Sequence, residues 1–264
     1  MITSLSLPNS HRGLSFFLSP DFRKINIETV FYALGQAFFS LCIGEGVLMT
    51  YGSYAKRSEN LLRSTLSIVS FDTFIAILSG LIIFPALFSF GQSTQQGPEL
   101  IFQVLPQLFQ KLPYSTSLQV IFFLTLCFAA LTTCVSLLEV SVNFLLESTR
   151  FTRYKAICVI CFCSCLISLP IALSKGASTQ LSQLKFSFFK TRGLYHIMDI
   201  VWGNVAMILS GLLTAIACGW FIQQRKTTKE LSMGSPLFKS WSGPWLFVLR
   251  YICPISLLLL LLNI

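Results

Sequence analysis

Charged side chains are scarce in this chain. Only 11% of its 264 residues are Asp, Glu, Lys or Arg, whereas soluble domains carry about 25%. Hydrophobic residues make up 54% of the sequence, and the mean hydropathy is +0.72. This composition excludes an ordinary soluble domain and predicts an integral membrane protein.

The sequence also lacks the residue groupings of common enzymes. Its two histidines, His11 and His196, are isolated, and neither lies near a serine–carboxylate grouping of recognisable spacing. No phosphate-binding glycine loop ending in GK[ST] occurs, which argues against a component of an ATP-driven pump. We therefore expect neither an enzyme nor an organic cofactor.

The net charge of +9 does not indicate a nucleic-acid partner. The basic residues are dispersed between apolar segments, which is typical of the loops that flank membrane helices. The basic residues in loops 56–63, 150–155 and 225–239 favour a cytoplasmic location for these loops, with both termini outside.

Nine cysteines are present, four of them within one apolar segment: Cys158, Cys161, Cys163 and Cys165. Residues 158, 161 and 165 share a helix face, so a thiolate cluster is geometrically conceivable. No histidine, carboxylate or turn accompanies them. We interpret these cysteines as small, apolar packing residues.

Long runs of Leu, Ile and Phe dominate the rest of the chain, unlike the alternating pattern of an outer-membrane barrel. A membrane helix needs about 20 apolar residues. Six segments qualify: 30–55, 66–91, 116–147, 156–174, 195–223 and 244–263. The sequence thus predicts an all-α, multi-pass protein of the cell (inner) membrane, surrounded by lipid. Residues 1–29 are expected to form an external loop segment, and residues 30–264 the membrane domain.

The most informative segment is 35–54, GQAFFSLCIGEGVLMTYGSY. Gly44 and Gly46 interrupt it and Glu45 lies between them, although glycine is a poor helix former and charge within a membrane is costly. Non-helical backbone at membrane depth survives only where protein or a water-lined cavity satisfies its polar groups. Secondary transporters use such broken helices to bind ions and substrates near the bilayer midplane. This segment is therefore our first candidate binding site.

Three further acids fall within or beside the apolar segments. Asp72 has no basic residue within a helical turn, so its partner is either a bound cation or water at the cytoplasmic interface. We interpret Glu139 as structural, bonding backbone or hydroxyl groups across a helix interface. Asp199 lies close to an interface and is assigned no function.

Adjacent hydroxyls at Thr132 and Thr133 follow the small residues Ala129 and Ala130. Sodium is a hard cation that prefers oxygen, so hydroxyls and freed carbonyls suit it. Threonines in membrane helices more often bond to carbonyls one turn back. The residues alone leave both interpretations open.

These motifs resemble the neurotransmitter:sodium symporter family. The segment 35–54 is similar to the sixth helix of bacterial members, which typically reads GQAFFSLSLGxGxxxTYGSY. SFDTFIAILSGLIIFPALFSFG resembles the next helix, FAALTTCVSLLEV the eighth, and GPWLFVLRYICPISLLLLLLN the eleventh. The resemblance covers about residues 13–264. It implies a partial inverted-repeat (LeuT-like) transporter fold with one discontinuous helix, and sodium-coupled symport of amino acids or related amines.

By motif position, the resemblance implies that Phe39, Ser40, Cys42 and Leu137 line the substrate pocket, with Phe39 as an aromatic lid. Glu45 occupies a pocket position where the family usually has an apolar residue such as Met or Phe. An acid there either binds a cationic substrate group, stays protonated and silent, or reflects relaxed selection.

The resemblance also implies two sodium sites. Ser40 and Asp72 would contribute to one of them. The carbonyl of Ala129 and the hydroxyls of Thr132 and Thr133 would form the other.

The resemblance begins at the sixth helix, so five helices of the family are expected to be missing. In the family, the broken first helix supplies most backbone ligands to the ions and to the substrate carboxylate, and it belongs to the repeat against which the second repeat rocks. Residues 1–30 contain no apolar core of signal-peptide length, and five preceding helices would account for an external amino terminus. Either this carboxy-terminal part joins a separately encoded amino-terminal half, or it is a truncated, transport-inactive membrane protein or interaction partner.

Overall fold

The computed structural model describes residues 7–56, 59–91, 101–102, 105–110, 114–175, 177–183, 193–222, 227–228, 231–232 and 236–262. Regular structure in these ranges is helical. The helices are α1 (Ser10–Leu18), α2 (Ile27–Ser40), α3 (Val47–Tyr54), α4 (Leu61–Ser89), α5 (Leu105–Gln110), α6 (Ser115–Ser148), α7 (Arg153–Leu173), α8 (Thr179–Ser182), α9 (Leu194–Phe221) and α10, which begins at Pro236 and ends at Leu262. A short 3-10 turn, Phe22–Lys24, precedes α2.

Five of these helices are long and apolar enough to cross a membrane: α4, α6, α7, α9 and the Trp241–Leu262 part of α10. The remaining predicted span, 30–55, is divided between α2, with 14 residues, and α3, with 8 residues. Neither half reaches the length of about 20 residues that a membrane span needs. The prediction of about six spans, one of them discontinuous, is confirmed.

Helix α4 begins at Leu61, five residues before the predicted span, because the polar residue Asn60 caps its N-terminus. The side-chain oxygen of Asn60 accepts a hydrogen bond from the Arg63 amide at 3.0 Å, and the Asn60 carbonyl accepts one from Ser64 at 3.0 Å. Asparagine is a favoured residue at this capping position. The helix therefore extends past its apolar stretch into a polar first turn.

The chain divides into two compact units. The first contains residues 1–30 and 65–133, and the second contains residues 31–64 and 134–264. In the first unit, α1 packs against α4 so closely that a Cβ on Gly13 would overlap the backbone of Phe84 and Pro85. Phe17 stacks on Phe84 with ring centroids 5.1 Å apart and covers Gly80. Small residues at these contacts let the two helices approach.

The core of the second unit lies between α2, α9 and α10. Its buried members are apolar: Phe38 from α2, Met207, Ile208 and Leu212 from α9, and Leu257 and Leu260 from α10. Phe38 occupies space that only a glycine leaves open, because a Cβ on Gly211 would collide with its ring. This packing fixes α2 on α9.

The break between α2 and α3 is built from residues in the left-handed backbone region. Cys42 has a φ of 51°, Gly44 a φ of 94° and Gly46 a φ of 81°. A Cβ on Gly44 would overlap the carbonyl oxygen of Met207, and one on Gly46 would come within 2.9 Å of Val140. Both glycines are therefore required for backbone angle and for close approach.

Gly44→Ala should destabilise the protein by about 2 kcal/mol or more, because it combines left-handed strain with a backbone collision. Gly52→Ala is the matched control: Gly52 lies inside α3 with no described atom within 4 Å of its Cβ position. We expect this control to be neutral or to gain up to about 1 kcal/mol from helix propensity. Thermal unfolding of the purified protein in detergent measures both changes, and equal melting temperatures would contradict this packing.

Candidate binding region at the helix break

The second unit holds every residue predicted to contact the substrate. Phe39 and Ser40 end α2 on an exposed face, and the Phe39 side chain is 56% exposed. Cys42 and Glu45 lie in the break and are partly buried. Leu137 lies on α6 and is 39% exposed. Their roles remain predictions.

The first unit holds four of the predicted sodium ligands. Thr132 and Thr133 both donate their hydroxyl hydrogens to the carbonyl oxygen of Ala129, at 2.9 and 3.0 Å. The three oxygens predicted to share one sodium site therefore lie together, in the back-bonded arrangement that threonines commonly adopt in helices. Asp72 is partly buried on α4. The sodium site predicted from Ser40 and Asp72 stays a prediction.

The break leaves backbone polar groups without helical partners. At its start, the amides of Cys42 and Ile43 bond to the carbonyls of Phe39 and Phe38, at 3.0 and 3.1 Å. At its end, the amide of Thr50 bonds to the carbonyl of Gly46 at 2.9 Å, and no side chain caps α3. The amides in the first turn of α3 therefore lack partners within the helix. Such a helix N-terminus favours an anionic group, and the end of the preceding half-helix favours a cation.

A cavity of about 420 Å³ lies beside the break, between α2, α9 and α10. Its walls are largely apolar and include Phe38, Ile43 and Leu257. Its two hydroxyls are already engaged, since Thr214 bonds to the Ser210 carbonyl and Ser256 to the Cys253 carbonyl, each at 2.9 Å. The cavity thus suits an apolar group rather than an ion.

The cavity separates the predicted pocket residues into two sets. Cys42 lines it, as do both glycines of the break. Phe39, Ser40, Glu45 and Leu137 do not.

The cysteine-rich helix α7 carries free thiols at Cys158, Cys161, Cys163 and Cys165. Within the described ranges, no three His, Cys, Asp or Glu side chains are grouped closely enough to hold a metal ion. Their interpretation as packing residues stays a prediction.

Two tyrosines bond α3 to α6. The hydroxyls of Tyr51 and Ser136 are 2.6 Å apart, and Tyr54 donates to Oε1 of Glu139 at 2.7 Å. Both pairs are three residues apart on their helices, so one face of α3 meets one face of α6. The three-residue spacing of the two tyrosines in TYGSY, residues 50–54, indicates that they share a helix face. Our sequence analysis assigned no role to either tyrosine.

Glu139 has one further partner, and so does Tyr54. Arg153, the first residue of α7, donates to Oε1 of Glu139 at 2.6 Å, and Asn143 donates to the Tyr54 hydroxyl. The Glu139 side chain is 17% exposed and that of Arg153 is 59% exposed. Hydroxyl bonding across a helix interface is the structural role predicted for Glu139. The ion pair with Arg153 adds a contact that the sequence analysis missed.

A double-mutant cycle should detect the bond between Tyr54 and Glu139. We expect Tyr54→Phe and Glu139→Ala each to destabilise the protein, with a coupling energy of about 1 kcal/mol between them. Tyr154→Phe is the control, because Tyr154 is a highly exposed tyrosine on α7. Denaturant unfolding in detergent gives the four free energies, and strict additivity would contradict a direct bond.

Comparisons with known proteins identify the family of this chain. The family model described as "Sodium:neurotransmitter symporter family" matches residues 1–263. The chain is 33% identical to an uncharacterised sodium-dependent transporter, YhdH, of Bacillus subtilis, over all of this chain and 57% of that protein. It is 33% identical to an uncharacterised sodium-dependent transporter of Haemophilus influenzae, over 56% of that protein.

The crystal structure of MhsT in complex with L-phenylalanine is similar in fold. Its TM-score is 0.87 at 32% identity, and the match covers 99% of this chain and 58% of that one. The chain thus spans somewhat more than half the length of the relatives that it matches. Because the family consists of transporters, the expectation that the chain is not an enzyme is confirmed. This multi-pass membrane protein belongs to the sodium:neurotransmitter symporter family.

Proposed function

We propose that this chain is the carboxy-terminal part of a sodium-coupled symporter for amino acids or related amines, active when joined to an amino-terminal part. The observation that carries this proposal is the broken helix α2–α3. Its glycines hold left-handed angles and its second half begins without a side-chain cap. Backbone left open at membrane depth serves to bind ions and substrates.

The exposure of the predicted site residues supports the need for a second part. Phe39 and Leu137 are large apolar side chains that remain uncovered at the break and on α6. None of the residues in the most apolar 18-residue stretch of α6 is buried. This stretch also includes small and hydroxyl-bearing residues, which helix–helix contacts usually cover. Lipid tails suit apolar faces, whereas small and polar helix faces are typical of helix–helix contacts. Further helices would cover these surfaces.

Phe39, Ser40, Cys42 and Leu137 are proposed to surround the substrate. Support comes from their placement at the break or on the neighbouring α6, and from MhsT, whose structure contains L-phenylalanine. The amides at the start of α3, which lack partners within the helix, would receive a carboxylate. An amino acid brings such a group.

Two sodium sites are proposed. One takes ligands from Ser40 and Asp72, and the other from Ala129, Thr132 and Thr133. The convergence of two hydroxyls on the Ala129 carbonyl supports the second set, because it groups three hard oxygen ligands. The sodium-dependent relatives support sodium as the coupling ion.

The alternative is a truncated, transport-inactive membrane protein or interaction partner. The chain covers 57% of the Bacillus subtilis relative, which does not distinguish the two proposals. The DNA upstream of the gene separates the two readings. A frame encoding five helices, with a glycine-broken first span, supports a two-part transporter, and the lack of such a frame anywhere in the genome supports the truncated form.

Sodium-dependent uptake of amino acids should appear only when both parts are co-expressed, because each part alone offers half of every site. Membrane vesicles carrying this chain, the amino-terminal part, or both would be tested with and without a sodium gradient. Uptake by this chain alone would overturn the proposal.

Asp72→Ala should raise the sodium concentration needed for half-maximal uptake by about tenfold or more, because it removes a proposed charged ligand. Glu139→Ala should raise it less, since the contacts of Glu139 are to Tyr54 and Arg153. Sodium titration of uptake by the two-part transporter measures both. Equal titrations would show that our ranking of the two acids is wrong.

A further inference from the structure

Glu45 is the acidic residue of the break. It lies between Gly44 and Gly46, near the middle of the discontinuous span that α2 and α3 form. Secondary transporters place their substrates at this depth, and a carboxylate there is costly unless a partner compensates it.

The surrounding packing fixes where Glu45 lies. Gly44 is pressed against α9 at Met207, and Gly46 against α6 at Val140, so the backbone is held on both sides. Both glycines line the apolar cavity and Glu45 does not. Its carboxylate therefore lies outside that cavity.

Within the described ranges, no hydrogen bond or ion pair engages the Glu45 carboxylate. The ion pairs described there join Lys24 to Asp21 and Arg153 to Glu139. Arg153 is thus already committed to another acid. No basic side chain in the described ranges is therefore ion-paired with Glu45, as a cationic substrate group would be.

The chemistry around Glu45 favours an organic cation over sodium. A hard metal ion takes several oxygen ligands. The flanking residues Ile43, Gly44, Gly46 and Val47 carry no side-chain oxygen, so only backbone carbonyls next to Glu45 could complete a sodium site there. An ammonium or guanidinium group needs only one well-placed carboxylate to form a strong, charge-assisted hydrogen bond.

We propose that Glu45 selects substrates of net positive charge, such as basic amino acids or polyamines. A zwitterionic amino acid brings a carboxylate of its own to the break, which Glu45 repels, whereas an additional ammonium group balances that charge. This inference rests on the proposed transport function and names the substrate class for the same site.

L-Lysine and L-norleucine provide the test, because they share a chain of the same length and differ in the terminal ammonium group. We expect the two-part transporter to take up lysine in preference to norleucine. Glu45→Gln should lower the lysine-to-norleucine uptake ratio by at least about tenfold, and Glu45→Asp should keep lysine preferred. An unchanged ratio in Glu45→Gln overturns the inference, even where uptake confirms the proposed function.

Glu59→Gln is the matched control, because it removes the same charge from an exposed residue between α3 and α4. The ratio should stay at the wild-type value in this variant. An equal fall in both variants would assign the effect to net charge and would also overturn the inference.

A second experiment does not depend on transport by this chain. The residue of MhsT aligned with Glu45 would be replaced by Glu and, in a parallel variant, by Gln. Competition of L-lysine and L-norleucine against labelled L-phenylalanine is then measured in detergent, with monodispersity as the folding check. We expect lysine to compete at least about tenfold better in the Glu variant than in the Gln variant. Equal competition by lysine in two folded variants overturns the inference.

Discussion

The second unit depends on one constraint. At the break, the backbone of two glycines packs directly against neighbouring helices. Gly44 meets the Met207 carbonyl of α9, and Gly46 meets Val140 of α6. A side chain at Gly44 would both force an unfavourable φ and separate the break from α9. These contacts hold the break against α9 on one side and α6 on the other.

The neighbouring core serves the same arrangement. Phe38 packs over Gly211 and among α9 and α10 side chains, while the next residue, Phe39, remains exposed. Two adjacent phenylalanines therefore have opposite roles. Phe38 fixes α2 within the unit, and Phe39 lies on the face proposed to meet substrate.

Much of the fold was predictable from the sequence, because membrane spans follow from long apolar runs and the break follows from two glycines around an acid. Helix ends were less predictable. Helix α4 starts at Leu61 because the side chain of Asn60 caps it. Hydropathy alone does not reveal such a capping residue. The tyrosine contacts with Ser136 and Glu139 join residues 85 positions apart. Local patterns contain no information on such distant pairings.

The sequence predicted the surroundings of the candidate site residues unevenly, for a similar reason. The oxygens of Ala129, Thr132 and Thr133 lie together because they are neighbours on one helix, which spacing alone predicts. The different surroundings of Cys42 and Phe39 depend on the turn at Cys42, whose left-handed φ reorients the chain. A motif position could not distinguish a cavity wall from an exposed face.

The two halves of the broken helix are anchored to different neighbours. Helix α2 is packed through Phe38 onto α9 and α10, whereas α3 is bonded through Tyr51 and Tyr54 to α6. Between them, residues 41–46 do not form a helix that would join the two halves into one rigid rod. Each half is therefore positioned by its own neighbours, and no continuous helix sets the orientation of one half from that of the other.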